Sequence, residues 1–122
     1  MLQKKSLGSV KFISIHREAL LEALQKTAES VRIKYPEVLD IRLFGSIAKK
    51  EQVGTSDVDI LIILNKTTDA PYKRILRFRR EFDIAVPLDL LVYTKDEITR
   101  MISEKNSFID TILKEGISLI GR

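Results

Sequence analysis

Apolar residues recur at helical spacing through "IHREALLEALQKTAESVRIKY", where Ala19, Leu20, Ala23, Leu24, Ala28 and Val31 share one face. Ser14 precedes the run as a candidate N-cap and Pro36 lies just past its end, so a helix is predicted over 15–35. The period then changes from helical to two. Leu39, Ile41 and Leu43 alternate with Asp40 and Arg42, which predicts a half-buried strand ended by Gly45. Residues 57–64, "DVDILIIL", predict a second strand, and "NKTTDAP" a loop. "YKRILRFRREF" predicts a helix with Ile75, Phe78 and Phe82 on one face, and "AVPLDLLVYT" a third strand. Thr94 and Glu97 have capping-box spacing at the head of a helix through Met101. "SFIDTILKEG" predicts a last helix capped by Ser107 and ended by Gly116, and "ISLIG" a small strand. Strands alternating with helices imply a sheet covered by helices, an α/β or α+β domain.

The 122 residues suffice for one core, with no repeat, linker or low-complexity tract. One domain over 1–122 is therefore expected, its first 12 residues a loose lead-in. The absence of cysteine excludes a disulfide framework, a thiol nucleophile and any cysteine-ligated metal, and fits a reducing cytoplasmic setting. Apolar runs such as Ile60 to Leu64 are far shorter than a membrane span, and no export signal is read at the N-terminus, so a cytoplasmic protein without membrane contact is expected. The net charge of +4 is compatible with a phosphate-bearing ligand or an acidic partner, and with neither in particular.

Asp57 and Asp59 open the second strand. Residues two apart on a strand point to one face, so these like charges stand close together at the edge of a core. A basic partner or a divalent cation would relieve the repulsion. Asp89 lies in the apolar run "VPLDLLVY", where an unpaired charge is costly. If the second and third strands are neighbours, Asp89 faces Asp57 and Asp59, and three carboxylates form an all-oxygen site suited to magnesium. The plainer arrangement has Asp57 capping a turn, Asp59 solvated and Asp89 paired with a cation.

Gly45-Ser46 joins a strand to "IAKKE", a segment of good helix formers. Such a junction lets a phosphate approach the backbone and presents helix amides and a hydroxyl to it. It is no Walker loop, since the second glycine and the Gly-Lys-Ser/Thr ending are missing. Taken alone it reads as an ordinary strand-to-helix turn. The short span from Ile47 to Ser56 brings the chain back so that turn and acids share one end of the sheet. Phosphate donors beside a carboxylate-held metal are the parts of phosphoryl or nucleotidyl transfer.

"GSIAKKEQVGTSDVD" resembles the signature of the DNA polymerase beta-like nucleotidyltransferase superfamily: Gly-Ser, ten residues, Asp-x-Asp. The compact layout is similar to its minimal nucleotidyltransferase (MNT) branch, and the likeness covers Val38 to Thr94, with the tail resembling that branch's closing helices and strand. The resemblance implies the nucleotidyltransferase fold, a small mixed sheet flanked by helices. It implies that Asp57 and Asp59 hold a pair of Mg2+ ions with Asp89 as third carboxylate and general base, and that Gly45, Ser46, Lys49 and Lys50 bind the nucleotide. The implied reaction moves a nucleoside monophosphate, AMP from ATP or its like from another NTP, to an acceptor hydroxyl. MNT members often serve as antitoxins to a helical HEPN ribonuclease, and some adenylylate its tyrosine, so a HEPN toxin is the implied partner in a homo- or hetero-oligomer. Members often carry arginine and glycine where this chain has Ile47 and Lys50. A non-catalytic antitoxin that covers its toxin, and a nucleotidyltransferase acting on a small molecule or RNA, are the alternatives.

Lys73, Arg74, Arg77, Arg79 and Arg80 crowd one helix without interleaved aromatics for base stacking. A solvated face is expected there, with docking of an acidic toxin next and direct nucleic-acid binding not expected. His16, the one histidine, has no catalytic companion nearby in sequence. Tyr35, Tyr72 and Tyr93 read as packing or edge residues, Tyr93 sharing a strand face with Asp89 and so able to border its pocket.

Overall fold

The computed structural model describes residues 6–49 and 57–120, with side chains in the first helix described from Arg17 onward. The chain runs α1 (Ser6–Lys34), β1 (Val38–Phe44), α2 (Gly45–Ala48), β2 (Val58–Leu64), α3 (Pro71–Arg79), β3 (Leu88–Thr94), α4 (Lys95–Ser103), α5 (Ser107–Glu115) and β4 (Ile117–Ser118). The strands form one sheet in the order β3-β2-β1-β4. β1 lies antiparallel to β2 and β4, whereas β2 and β3 are parallel and are joined through α3, as a parallel pair requires. This is the sheet covered by helices that the sequence pattern implies, and the small mixed sheet that the family resemblance implies.

The two-residue period of the strands decides which helices each side chain meets. Val58, Ile60, Ile62 and Leu64 of β2 join Leu88, Leu90 and Val92 of β3 in a core with Leu24, Ala28 and Val31 of α1 and Phe78 of α3. Leu61, Ile63, Leu91 and Tyr93, of the opposite parity, pack with Ile98 of α4 and Ile109 and Ile112 of α5. β2 is covered on both faces, which is why its run is apolar without alternation. Asp57, Asp59 and Asp89 have the parity of the α4 and α5 face.

Several boundaries differ from the sequence pattern. α1 begins at Ser6, so residues 6–12 are helical instead of a loose lead-in, and Ser14 and His16 fall inside the helix; serine costs a helix interior only a few tenths of a kcal/mol. The cap of α5 is Asn106, whose Oδ1 accepts from the Ile109 amide at 3.1 Å, with Ser107 as the first helical residue. The Thr94–Glu97 capping box is present at α4. Glu97 also takes a two-pronged contact from Arg74 at 2.8 and 3.1 Å, which pulls its carboxyl below the usual range. Arg74 is buried, and with Arg79 it donates to the Val92 and Leu88 carbonyls of edge strand β3. Arg77 pairs with Glu37 and Asp69. Arg74, Arg77 and Arg79 thus make internal contacts, while Lys73, Arg79 and Arg80 remain exposed to solvent. Among the described residues no helix is long and apolar enough to cross a membrane.

Candidate active site

One rung of the sheet brings candidate site residues from three strands together. Phe44, the last residue of β1, lies opposite Asp59 of β2, and Asp59 lies opposite Asp89 of β3. Because β2 and β3 are parallel and in register here, the two carboxylates stand side by side on one face. The neighbourhood of second and third strands on which their meeting depends is therefore present. Asp57 is exposed at the mouth of β2, one step beyond the rung.

The chain turns sharply after Phe44. Gly45 has φ of 81°, a left-handed conformation, and opens the single helical turn α2, which no side chain caps at its N-terminus. A Cβ placed on Gly45 would lie 2.2 Å from Asp59 Oδ2, so the aspartate rests directly over the glycine backbone. Two other residues hold the turn. Ile47 is buried in the main core, and Arg17 of α1 donates from Nε to the Ile47 carbonyl at 2.9 Å. Ile47 therefore anchors the turn to the core.

Helix α5 covers the same face and forms a second wall. Arg42 of β1 fixes its C-terminal end by donating from Nη2 to the Gly116 carbonyl at 2.7 Å and to the Leu113 carbonyl at 3.2 Å. Between turn, rung and helix lies a cavity of about 530 Å³. Gly45, Lys49, Asp59 and Asp89 supply its polar side. Phe44, Leu91, Phe108 and Ile112 supply its apolar side, with Thr111 and Glu115 at its edge. Lys49 reaches across to Glu115 at 3.1 Å.

Of the residues proposed from sequence, Gly45, Lys49, Asp59 and Asp89 meet in this cavity, while Ser46 and Asp57 flank it. Lys50 lies outside the described residues. Tyr93 shares the face of Asp89 but packs beneath the helices instead of bordering the cavity. Phe44, Phe108, Thr111 and Glu115 escaped sequence reasoning. The signal for the last three was the spacing 108, 111, 112 and 115, one face of a helix, which carries no hint of what that face covers; Phe44, at the end of β1, had none.

Asp59 bears the electrostatic strain. Burial pushes its carboxyl up to about 6, assisted by the charge of Asp89, a hydrogen bond with Asp89 and the charge of Asp57. A crowded, all-oxygen carboxylate pair in which the ionisation of Asp59 is opposed fits a hard divalent cation, which would relieve that opposition. No three acidic or histidine side chains among the described residues form a preassembled cage, so Asp57 would join the pair from the strand mouth.

This layout coincides with a known family. Residues 25–122 match the family described as Polymerase beta, Nucleotidyltransferase, and the chain belongs to it. Among solved structures, the fold is similar to that of a Sulfolobus solfataricus protein provisionally assigned as a nucleotidyltransferase, with TM-score 0.64 and 19% identity over 96% of this chain and 90% of that one. It is also similar to a chain from a structure described as a toxin-antitoxin with AMP-PNP, with TM-score 0.53 and 22% identity over 84% of this chain and 73% of that one. At these identities both likenesses are of fold. No curated protein sequence matches the chain.

Proposed function

We propose that this chain transfers a nucleoside monophosphate, AMP in the first instance, from an NTP to an acceptor hydroxyl. The observation that carries the reading is the in-register Asp59–Asp89 pair lying against the Gly45 turn. Asp57, Asp59 and Asp89 would hold the divalent cation, Mg2+ by their chemistry, which when bound neutralises triphosphate oxygens. The backbone of Gly45 and Ser46 and the ammonium of Lys49 receive the phosphates, and Arg17 and Ile47 keep that turn in place. Asp89 takes the proton of the acceptor hydroxyl at its carboxylate as the acceptor oxygen bonds to the α-phosphorus. The bond from that phosphorus to the bridging oxygen breaks, and pyrophosphate leaves. α5 and the cavity's apolar side limit water, which favours transfer over hydrolysis.

The acceptor we propose is a tyrosine of a helical toxin of the HEPN type, with this chain as antitoxin. The MNT resemblance supports this reading, as does a fold neighbour from a toxin-antitoxin structure. The test is co-expression with the protein encoded beside it, followed by mass spectrometry of that partner. A partner heavier by one nucleoside monophosphate with the native chain, and unmodified with Asp57→Asn/Asp59→Asn, is expected. Neutralisation by that double variant with no modified partner would mean that the chain acts by covering the toxin.

A further inference from the structure

Beyond limiting water, the apolar wall of the cavity has no task in phosphate or metal chemistry. Phe108 stands on the first turn of α5 and is 55% exposed, an unusual place for a large aromatic beside two carboxylates. It meets Phe44 edge to face, with ring centroids 5.9 Å apart. Phe44 in turn immediately precedes the Gly45 turn. An exposed π surface therefore lies within one cavity of the group expected to hold phosphates. One helical step along α5, Thr111 supplies a hydroxyl, and a further step brings the Glu115 carboxylate. An ionised carboxylate only accepts hydrogen bonds, so it suits a base carrying an amino group and is repelled by the two carbonyls that flank the single N–H of a uracil edge.

We infer that the Phe44–Phe108 wall, with Thr111 and Glu115, is a nucleobase subsite for an amino-bearing base such as adenine, the base stacking on Phe108. The proposal rests on the reading of this cavity as a nucleoside triphosphate site. Lys49, held at Glu115, sits between the two parts and offsets the repulsion between that carboxylate and the phosphates.

Calorimetric titration of the full chain with ATP, UTP and inorganic tripolyphosphate, each with magnesium, tests it. ATP should bind more tightly than UTP or tripolyphosphate. Phe108→Ala should weaken ATP about tenfold, the loss of one base–aromatic stack, and leave tripolyphosphate unchanged. Since the chain contains no tryptophan, Phe108→Trp adds a lone indole whose emission, excited apart from the tyrosines, ATP should quench and tripolyphosphate should not. Equal weakening of ATP and tripolyphosphate by Phe108→Ala, native affinity for UTP equal to that for ATP, or an indole indifferent to ATP would each overturn the base subsite while leaving the phosphate site standing. A native chain that binds none of the three would overturn the nucleotide-site reading and the subsite with it.

Discussion

At Gly45 two constraints meet in one residue. Its φ of 81° is costly for any residue with a Cβ, and a Cβ there would strike Asp59 Oδ2. Gly45→Ala must therefore either displace the aspartate or flatten the turn. A loss of about 2 kcal/mol in urea unfolding is expected, together with loss of nucleotide transfer. Asp59 makes a prediction of the opposite sign. Its carboxyl holds a proton up to about pH 6, above the ordinary carboxylate value it regains on unfolding. Its contribution to stability is therefore complete at pH below the unfolded value and is lost as pH rises through about 6. Asp59→Asn removes that loss. The variant should be more stable than the native chain at alkaline pH by about 1 kcal/mol, allowing for solvent screening at an open cavity, and equal to it in acid. Urea titrations at the two pH values measure the difference. A residue that costs stability when ionised and lies in a cleft is the pattern of a functional site.

Among the elements, the strands and their faces were legible because period two shows directly which residues share a side. Asp89 could be placed on the face of Asp59 from sequence on the single condition that β2 and β3 are neighbours. What periodicity does not carry is register. That Phe44 meets Asp59, and Asp59 meets Asp89, follows from how β1, β2 and β3 slide against one another during packing. Helix ends were legible where a side chain makes the cap, as at Thr94, and not where the neighbouring residue proved the better acceptor, as with Asn106 over Ser107. The Arg74–Glu97 pair ties α3, β3 and α4 together with the guanidinium almost wholly out of water. Glu97→Ala strands that buried charge and removes half of the capping box, so a loss of about 3 kcal/mol in urea unfolding is expected. Arg74→Met should cost less, because the Glu97 carboxylate it leaves behind is partly solvated. The double variant should then lie nearer the native chain than the sum of the two losses.

For the molecule as a whole, the sheet brings residues from β1, β2 and β3 to one rung, and two arginines distant in sequence fix the walls around it. Arg17 holds the glycine turn and Arg42 holds the end of α5. Neither was visible as a site residue in the sequence, since each acts through a backbone carbonyl about 30 or more positions away, a relation that no local pattern records. The central claim is that this rung performs nucleotidyl transfer. It is tested most directly by incubating the native chain, magnesium and the protein encoded beside it, the proposed partner, with ATP labelled either at the α-phosphate or at the γ-phosphate. The account predicts label on the partner from the α-position only, and none from either position with Asp59→Asn. Label from the γ-position, or α-label that persists undiminished in Asp59→Asn, would contradict it.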